Sequence, residues 1–310
     1  MNIKQIISVS FTVVAFVSAN AQLPSSGMSE SGVLDGVYVQ EHVPTKRVIQ
    51  YTALREADIV WAKRVWRTID LREKKNHPLT YPTEPISDRR SLWDVIKYGV
   101  MVEKSLTPYK AMDDFGYAND QFDIPLVPPN GNVDDPVYQE ELNALFFNSE
   151  TQPVLDDDGL EVYDLNGDPV DTVMTEAITS DAIIKYYIKE DWFFDKQRGV
   201  QERRIIGIAP VRYSLDDNGD IKALNTMFWL YFPECRYVFQ NFFVYNSEND
   251  ARRMSYDDLF WKQMYTSYIH KESNVYDRKV NNTFEGVDAL LESEKIKKEI
   301  FTLEHDLWHL

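Results

Sequence analysis

The chain has 310 residues, with 50 Asp and Glu against 33 Lys and Arg, giving a formal net charge of −17. That surplus of acid argues against nucleic acid and anionic lipid surfaces as partners. The one cysteine, Cys235, excludes an intrachain disulfide, and a hydrophobic content of 44% is enough for a real core.

The chain opens with Lys4, an apolar run from Ile6 to Val17, and Ala19-Asn20-Ala21. This is the pattern of a secretory signal cleaved between Ala21 and Gln22. The run is short for a membrane span, and no cysteine follows the junction to carry a lipid. The expectation is an exported, soluble chain whose cleavage, removing Lys4 and no acid, takes the charge to one unit below −17. Residues 22–36 are small and polar and read as a flexible arm. Beyond it, 37–110 reads as a helical region, 111–177 as a loop-rich acidic region and 178–310 as a sheet with helices. The span 37–310 is short enough to form one compact domain.

Residues 58–82 form a basic, tryptophan-bearing island in this acidic chain. At about 100° per residue, Leu54, Trp61, Ala62, Val65, Trp66 and Ile69 share one arc, and Lys63, Arg67, Glu56 and Asp70 lie opposite. The spacing predicts a helix over 53–73, with Thr52 as N-cap and Pro78 beyond its end. Such a helix either packs on a core with a solvated basic face, or docks an acidic partner through that face or the loop 72–82. Trp and Arg are enriched at protein interfaces, so Trp61, Arg64, Trp66, Arg67, Arg72 and Trp192 are the candidate interface residues. Reversing Arg64 and Arg67 to Glu is expected to weaken assembly while leaving the monomer folded.

A second helix is predicted over 91–104, capped by Asp88 or Ser91. The stretch 111–172 reads as long loops with one short helix near Val137–Phe147. A small antiparallel sheet is predicted at about 180–245. There Ile184, Tyr186 and Ile188 alternate with polar neighbours, and Asn218-Gly219 marks a hairpin turn. Pro210 argues for an edge or a bulge, and MFWLYF (227–232) for a covered central strand. Cys235 is expected as a small core residue. A helix capped by Ser255 follows, then one over about 284–307. Ile296, Ile300, Leu303 and Leu307 make one apolar stripe of that last helix, and Leu290, Phe301 and Trp308 lie on another side. Two apolar sides mean burial within the chain or sharing with a second one. The expected class is α+β, with a mainly helical N-terminal part and a small sheet covered by C-terminal helices.

Motifs for cofactor or metal chemistry are weak. There is no Gly-rich nucleotide loop, no G-x-S-x-G elbow and no paired CxxC. His305 and His309 lie one turn apart, but Asp306 stands where a metalloprotease carries Glu. Asp156, Asp157, Asp158, Asp164, Asn166 and Asp168 invite a calcium reading, yet neither Gly167 nor Gly219 has EF-hand acids at the required positions. No catalytic, cofactor or metal residue is assigned.

The string VWAKRVWRTIDLREKKNHPLTYP (60–82) resembles the signature of the GldN/PorN family of gliding-motility and type IX secretion proteins. DWFFDKQRGVQERRIIGIAP (191–210), SLWDVIKYGV (91–100) and YDDLFWKQMY (256–265) fit the same pattern. The resemblance implies a non-enzymatic periplasmic subunit that builds a ring with an outer-membrane lipoprotein of the GldK/PorK type. It also implies contact with the GldL–GldM (PorL–PorM) motor, through the periplasmic region of GldM/PorM. Membrane attachment would then be indirect. The alternative from another class is a secreted glycan-binding protein or a hydrolase with a hidden carboxylate pair, which a pocket holding two perturbed carboxyls would reveal.

Overall fold

The computed structural model describes residues 47–307, apart from 87–88, 113–117, 154–170, 216–220, 247–248 and 250–251. The signal segment with its Ala21-Gln22 junction, the arm 22–36, the acidic run 156–168, the Asn218-Gly219 turn, Trp308 and His309 lie outside the described residues. In chain order the elements begin β1 (Ile59–Asp70), α1 (His77–Thr80), α2 (Leu92–Lys97), β2 (Pro108–Lys110) and α3 (Pro136–Phe146). Next come β3 (Phe147–Pro153), β4 (Asp171–Ala177), β5 (Ile183–Asp195), β6 (Val200–Leu215), β7 (Ile221–Thr226), β8 (Phe228–Tyr231) and α4 (Phe232–Phe239). The last are β9 (Phe243–Val244), β10 (Met254–Ser255), α5 (Tyr256–Trp261), β11 (Tyr268–Glu272) and α6 (Gly286–Leu307).

The fold is mainly β, which corrects the expected mainly helical N-terminal part. One seven-stranded sheet runs β11-β1-β5-β6-β8-β2, with β7 also pairing β6, and every pairing is antiparallel. The island at 53–73 supplies the strand β1 in place of a helix. Trp61, Val65 and Ile69 recur every four residues, a spacing that satisfies both a helix turn and the two-residue period of a strand. Both faces of β1 are covered, so apolar side chains also occupy adjacent positions such as Val65 and Trp66, imitating a wide helical arc. The tie is broken by the β-branched and aromatic side chains of Ile59, Val60, Trp61, Val65, Trp66, Thr68 and Ile69.

Elements with local signals fall where expected. Ser91 Oγ accepts from the Asp94 amide at 3.1 Å to cap α2, and Ser255 Oγ caps α5 through the Asp258 amide at 3.1 Å. Pro210 sits inside β6 next to a register shift, where the neighbour of β6 changes from β8 to β7; the missing N–H falls at that seam. The strand β8 lies between β6 and β2 and is buried from Phe228 to Leu230. The region read as loops adds the hairpin β3–β4 to its one helix α3.

The larger core lies between one sheet face and the helices α2, α4 and α5. Ile69, Tyr186, Ile188 and Ile208 meet Trp93, Phe239 and Phe260 there. Trp93 is fully buried against Phe146 and Phe228, and its Nε1 donates to the Ile178 carbonyl at 2.8 Å. Cys235 is buried in the same core, and burial pushes its thiol pKa up. A second cluster on that face, Val65, Ile269, Ile296 and Ile300, seats α6. Trp66, Ala111, Ala209 and Trp229 form a third cluster on the other face.

Candidate functional site

Alternation along β1 sends Trp61, Lys63, Val65, Arg67 and Ile69 to one face, and Arg64, Trp66, Thr68 and Asp70 to the other. Most of the basic island is thereby matched with acids of its own chain. Lys63 pairs with Glu272 at 2.6 Å. Arg64 makes a two-pronged contact with Asp191 on the neighbouring strand β5, at 2.6 and 2.7 Å, and that hydrogen bonding raises the pKa of its guanidinium. Arg72 closes on Asp70 at 2.6 and 2.9 Å, which lowers the Asp70 carboxyl. Arg67 lies 3.8 Å from Glu190 and donates to the Ser267 carbonyl at 3.4 Å.

Glu190 is the hub of this face and is fully buried. Its Oε1 accepts from Arg203 at 2.7 Å and its Oε2 from the Trp192 indole at 3.1 Å. Arg203 also donates to the Phe260 carbonyl at 3.2 Å and the Tyr265 hydroxyl at 3.3 Å. On the opposite face Lys189 is 2% exposed, donates to the Asp120 carbonyl at 2.6 Å, and lies near the rings of Trp66 and Phe122. Burial lowers its pKa. The rings of Trp61 and Trp192 pack against the cluster that seats α6.

The structure therefore brings five of the six candidate interface residues, Trp61, Arg64, Trp66, Arg67 and Trp192, into one two-faced layer, with Arg72 just past the end of β1. Reversing Arg67 to Glu would set a carboxylate beside buried Glu190, so the paired reversal of Arg64 and Arg67 threatens the fold and not only assembly. Arg64→Ala alone removes a partly exposed pair, with side chains 39% and 29% accessible. It is expected to cost about 0.5–1 kcal/mol in urea unfolding, and a loss several times larger would mean the contact is not a solvated one.

Two large grooves remain open. One, about 900 Å³, is lined by Lys74, Lys75, His77, Pro78, Tyr81, Pro82, Ile86, Arg89, Tyr245, Met254, Leu259 and Met264 among others, with no acid among the described residues of its lining. The other, about 1020 Å³, runs between α6 and the sheet and includes Arg67, Trp192, Ile269, Leu291, Lys298 and Phe301. The outer side of α6 leaves Leu290, Leu291 and Phe301 51–68% exposed, whereas Ile296 and Ile300 are buried. These are the two apolar sides of the last helix, one packed and one open.

Sequence reasoning missed Glu190 and Arg203 as partners, and missed that Lys74 and Lys75 are the cations of the basic island left without an ion pair among the described residues. Reading β1 with a two-residue period would have placed Arg64 and Arg67 on opposite faces. Among the described residues the carboxyls with displaced titration are Asp70 and Asp195, each lowered first by hydrogen bonding to an arginine, Arg72 and Arg198. A general acid needs the opposite displacement. Asp257 lines a small cavity of about 230 Å³ but is tied to buried Arg236 at 2.7 Å. Among the described residues no three His, Cys, Asp or Glu side chains converge as a metal cage, and no helix is long and apolar enough to cross a membrane.

Fold and surfaces together define a mainly antiparallel β protein whose basic island is largely matched by its own acids and which carries open apolar grooves. The family model for the gliding motility associated protein GldN matches residues 54–309, so the chain belongs to the GldN family. That membership makes it a component of the gliding-motility and type IX secretion apparatus. No curated protein is found to match the chain. The two longest signature strings are adjacent strands: 60–82 gives β1 and its following turn, and 191–210 gives the end of β5 and most of β6.

Proposed function

We propose that the chain is a non-enzymatic, periplasmic subunit of this apparatus. It is held at the outer membrane by a lipoprotein of the GldK/PorK type, with which it builds a ring that the GldL–GldM (PorL–PorM) motor contacts. The family match over 54–309 carries this reading. Its surfaces agree with it, because a closed ring buries two different faces of each subunit. The two grooves share no lining residue, and both combine apolar side chains with charged rims.

The test is co-expression of residues 22–310 with a lipid-free lipoprotein of that type, followed by light scattering on the eluted complex. A large, stable co-complex is the expected result; a chain that elutes alone as a monomer overturns the reading. Leu290→Ser with Phe301→Ser, on the open side of α6, is expected to weaken the complex at least ~tenfold while shifting unfolding by only about 0.5 kcal/mol. Unchanged assembly by that variant would remove α6 from the contact.

A further inference from the structure

We propose that the cationic groove at Lys74 and Lys75 receives the acidic segment 155–168 of a second copy of this chain, forming a head-to-tail contact. The proposal rests on the reading of the protein as a self-assembling subunit and names a surface for it.

The groove is a preformed one. After β1 the chain turns through Lys74–Asn76, and buried Asn76 locks that turn. Its Nδ2 donates to the Asp70 carbonyl at 2.8 Å and the Thr266 carbonyl at 3.0 Å, and its Oδ1 accepts from the Thr266 amide at 2.9 Å. Lys74 and Lys75 are thus presented from a fixed base. Both are exposed, and neither has an ion pair among the described residues, whereas Lys63, Arg64, Arg67 and Arg72 of the same stretch all do. Arg89 adds a third cation, its guanidinium 5.1 Å from the Tyr245 ring centre. Between the cations lie exposed Tyr81 and Ile86, and Met254 and Met264, whose flexible thioethers adapt to an incoming side chain.

Among the described residues the lining holds three cations and no acid, in a chain of net charge −17. It calls for an acidic, partly apolar occupant. Residues 154–170, VLDDDGLEVYDLNGDPV, have that composition: Asp156, Asp157, Asp158, Glu161, Asp164 and Asp168 with no Lys or Arg, and Leu160, Val162, Tyr163 and Leu165 between them. The segment leaves β3 at Pro153 and returns to β4 at Asp171, and those two residues are paired, so its ends are held together at the tip of a hairpin. No residue of β3 or β4 is among the described lining of the groove. Acceptor and donor thus come from different parts of the chain, as a head-to-tail contact requires.

The probe is a fluorescein-labelled peptide of residues 154–170, titrated onto the chain 22–310 at low salt with anisotropy as readout. Saturable binding is expected, weakening with salt and falling at least ~tenfold in Lys74→Glu with Lys75→Glu. Both lysines are exposed, so the variant should melt as the parent does. A peptide with Asp156, Asp157 and Asp158 changed to Lys should bind the reversed chain better than the parent. Self-association of the parent, read by light scattering, should be lost in the reversed chain. Absent saturation, equal binding by the reversed chain, or a parent chain that stays monomeric while the peptide binds would each overturn the proposal. A reversed chain that still forms the lipoprotein complex, with peptide binding unaffected, would sink this contact and leave the proposed function standing.

Discussion

Glu190→Gln is expected to destabilise the protein by about 3–5 kcal/mol, the cost of stripping the charge from one side of a buried ion pair. The glutamate side chain is fully buried, with Arg203 and Arg67 only 10% and 12% accessible beside it. Glutamine keeps the shape and one acceptor oxygen, so no cavity opens. It presents its amide either to the Arg203 guanidinium at the 2.7 Å position or to the Trp192 indole at the 3.1 Å position, donor against donor in both cases. Two guanidinium groups then share a dry site with no counter-charge, across the strands β1 and β6 that flank β5. Urea unfolding reads this as a lower midpoint at unchanged slope, and for a domain of this size the melting temperature should drop by roughly 10 °C. A loss near that of the solvated Arg64–Asp191 pair would show that water reaches the site. Replacing Glu190 and Arg203 together by apolar residues should recover much of the loss, because the penalty comes from the orphaned charge and not from the absent pair.

The contrast between Glu190 and Arg64 also explains what the sequence could reveal. Caps and short helices were legible because their causes are local: Ser91 and Ser255 each act on an amide three residues on. The strand β5 was legible through the alternation of Ile184, Tyr186 and Ile188. The strand β1 was not, because its four-residue spacing fits two periods and only its neighbours decide between them. Arg64 finds its acid 127 positions away, and Arg67 contacts a carbonyl 200 positions away, so a patch that looks basic in one dimension is largely matched in three. Family resemblance located the important strings, 60–82 and 191–210, without showing that they touch. The groove at Lys74 was legible only as a loop preceding a proline, since its other wall comes from Tyr245, Met254 and Leu259.

His270 makes the fold sensitive to acid, and the expected loss between pH 6.5 and 4 is on the order of 3 kcal/mol. The residue is the extra one in a bulge of β11, between Ile269 paired with Arg67 and Lys271 paired with Trp66. Its Nδ1 lies 2.9 Å from the Thr68 hydroxyl, and its ring packs on Tyr187 with centres 4.6 Å apart. Burial, then the charges of Lys279, Lys271 and Lys185, push its pKa down to about 3 from 6.5. The unfolded chain thus takes up a proton near pH 6.5 that the folded chain refuses until about pH 3. The resulting stability is fully present above pH 6.5 and is lost progressively as the pH falls towards 3. Asp70 and Asp195, held below the usual carboxylate range by Arg72 and Arg198, add their losses only below about pH 4, so the two windows separate. His270→Phe keeps the stack on Tyr187 and cannot be protonated. It should cost about 1 kcal/mol at pH 7.5 for the Thr68 hydrogen bond, yet lose less stability than the parent between pH 6.5 and 4. Urea unfolding of both chains across that range decides the matter: converging curves support a neutral, buried His270, and parallel curves assign the acid sensitivity to other groups.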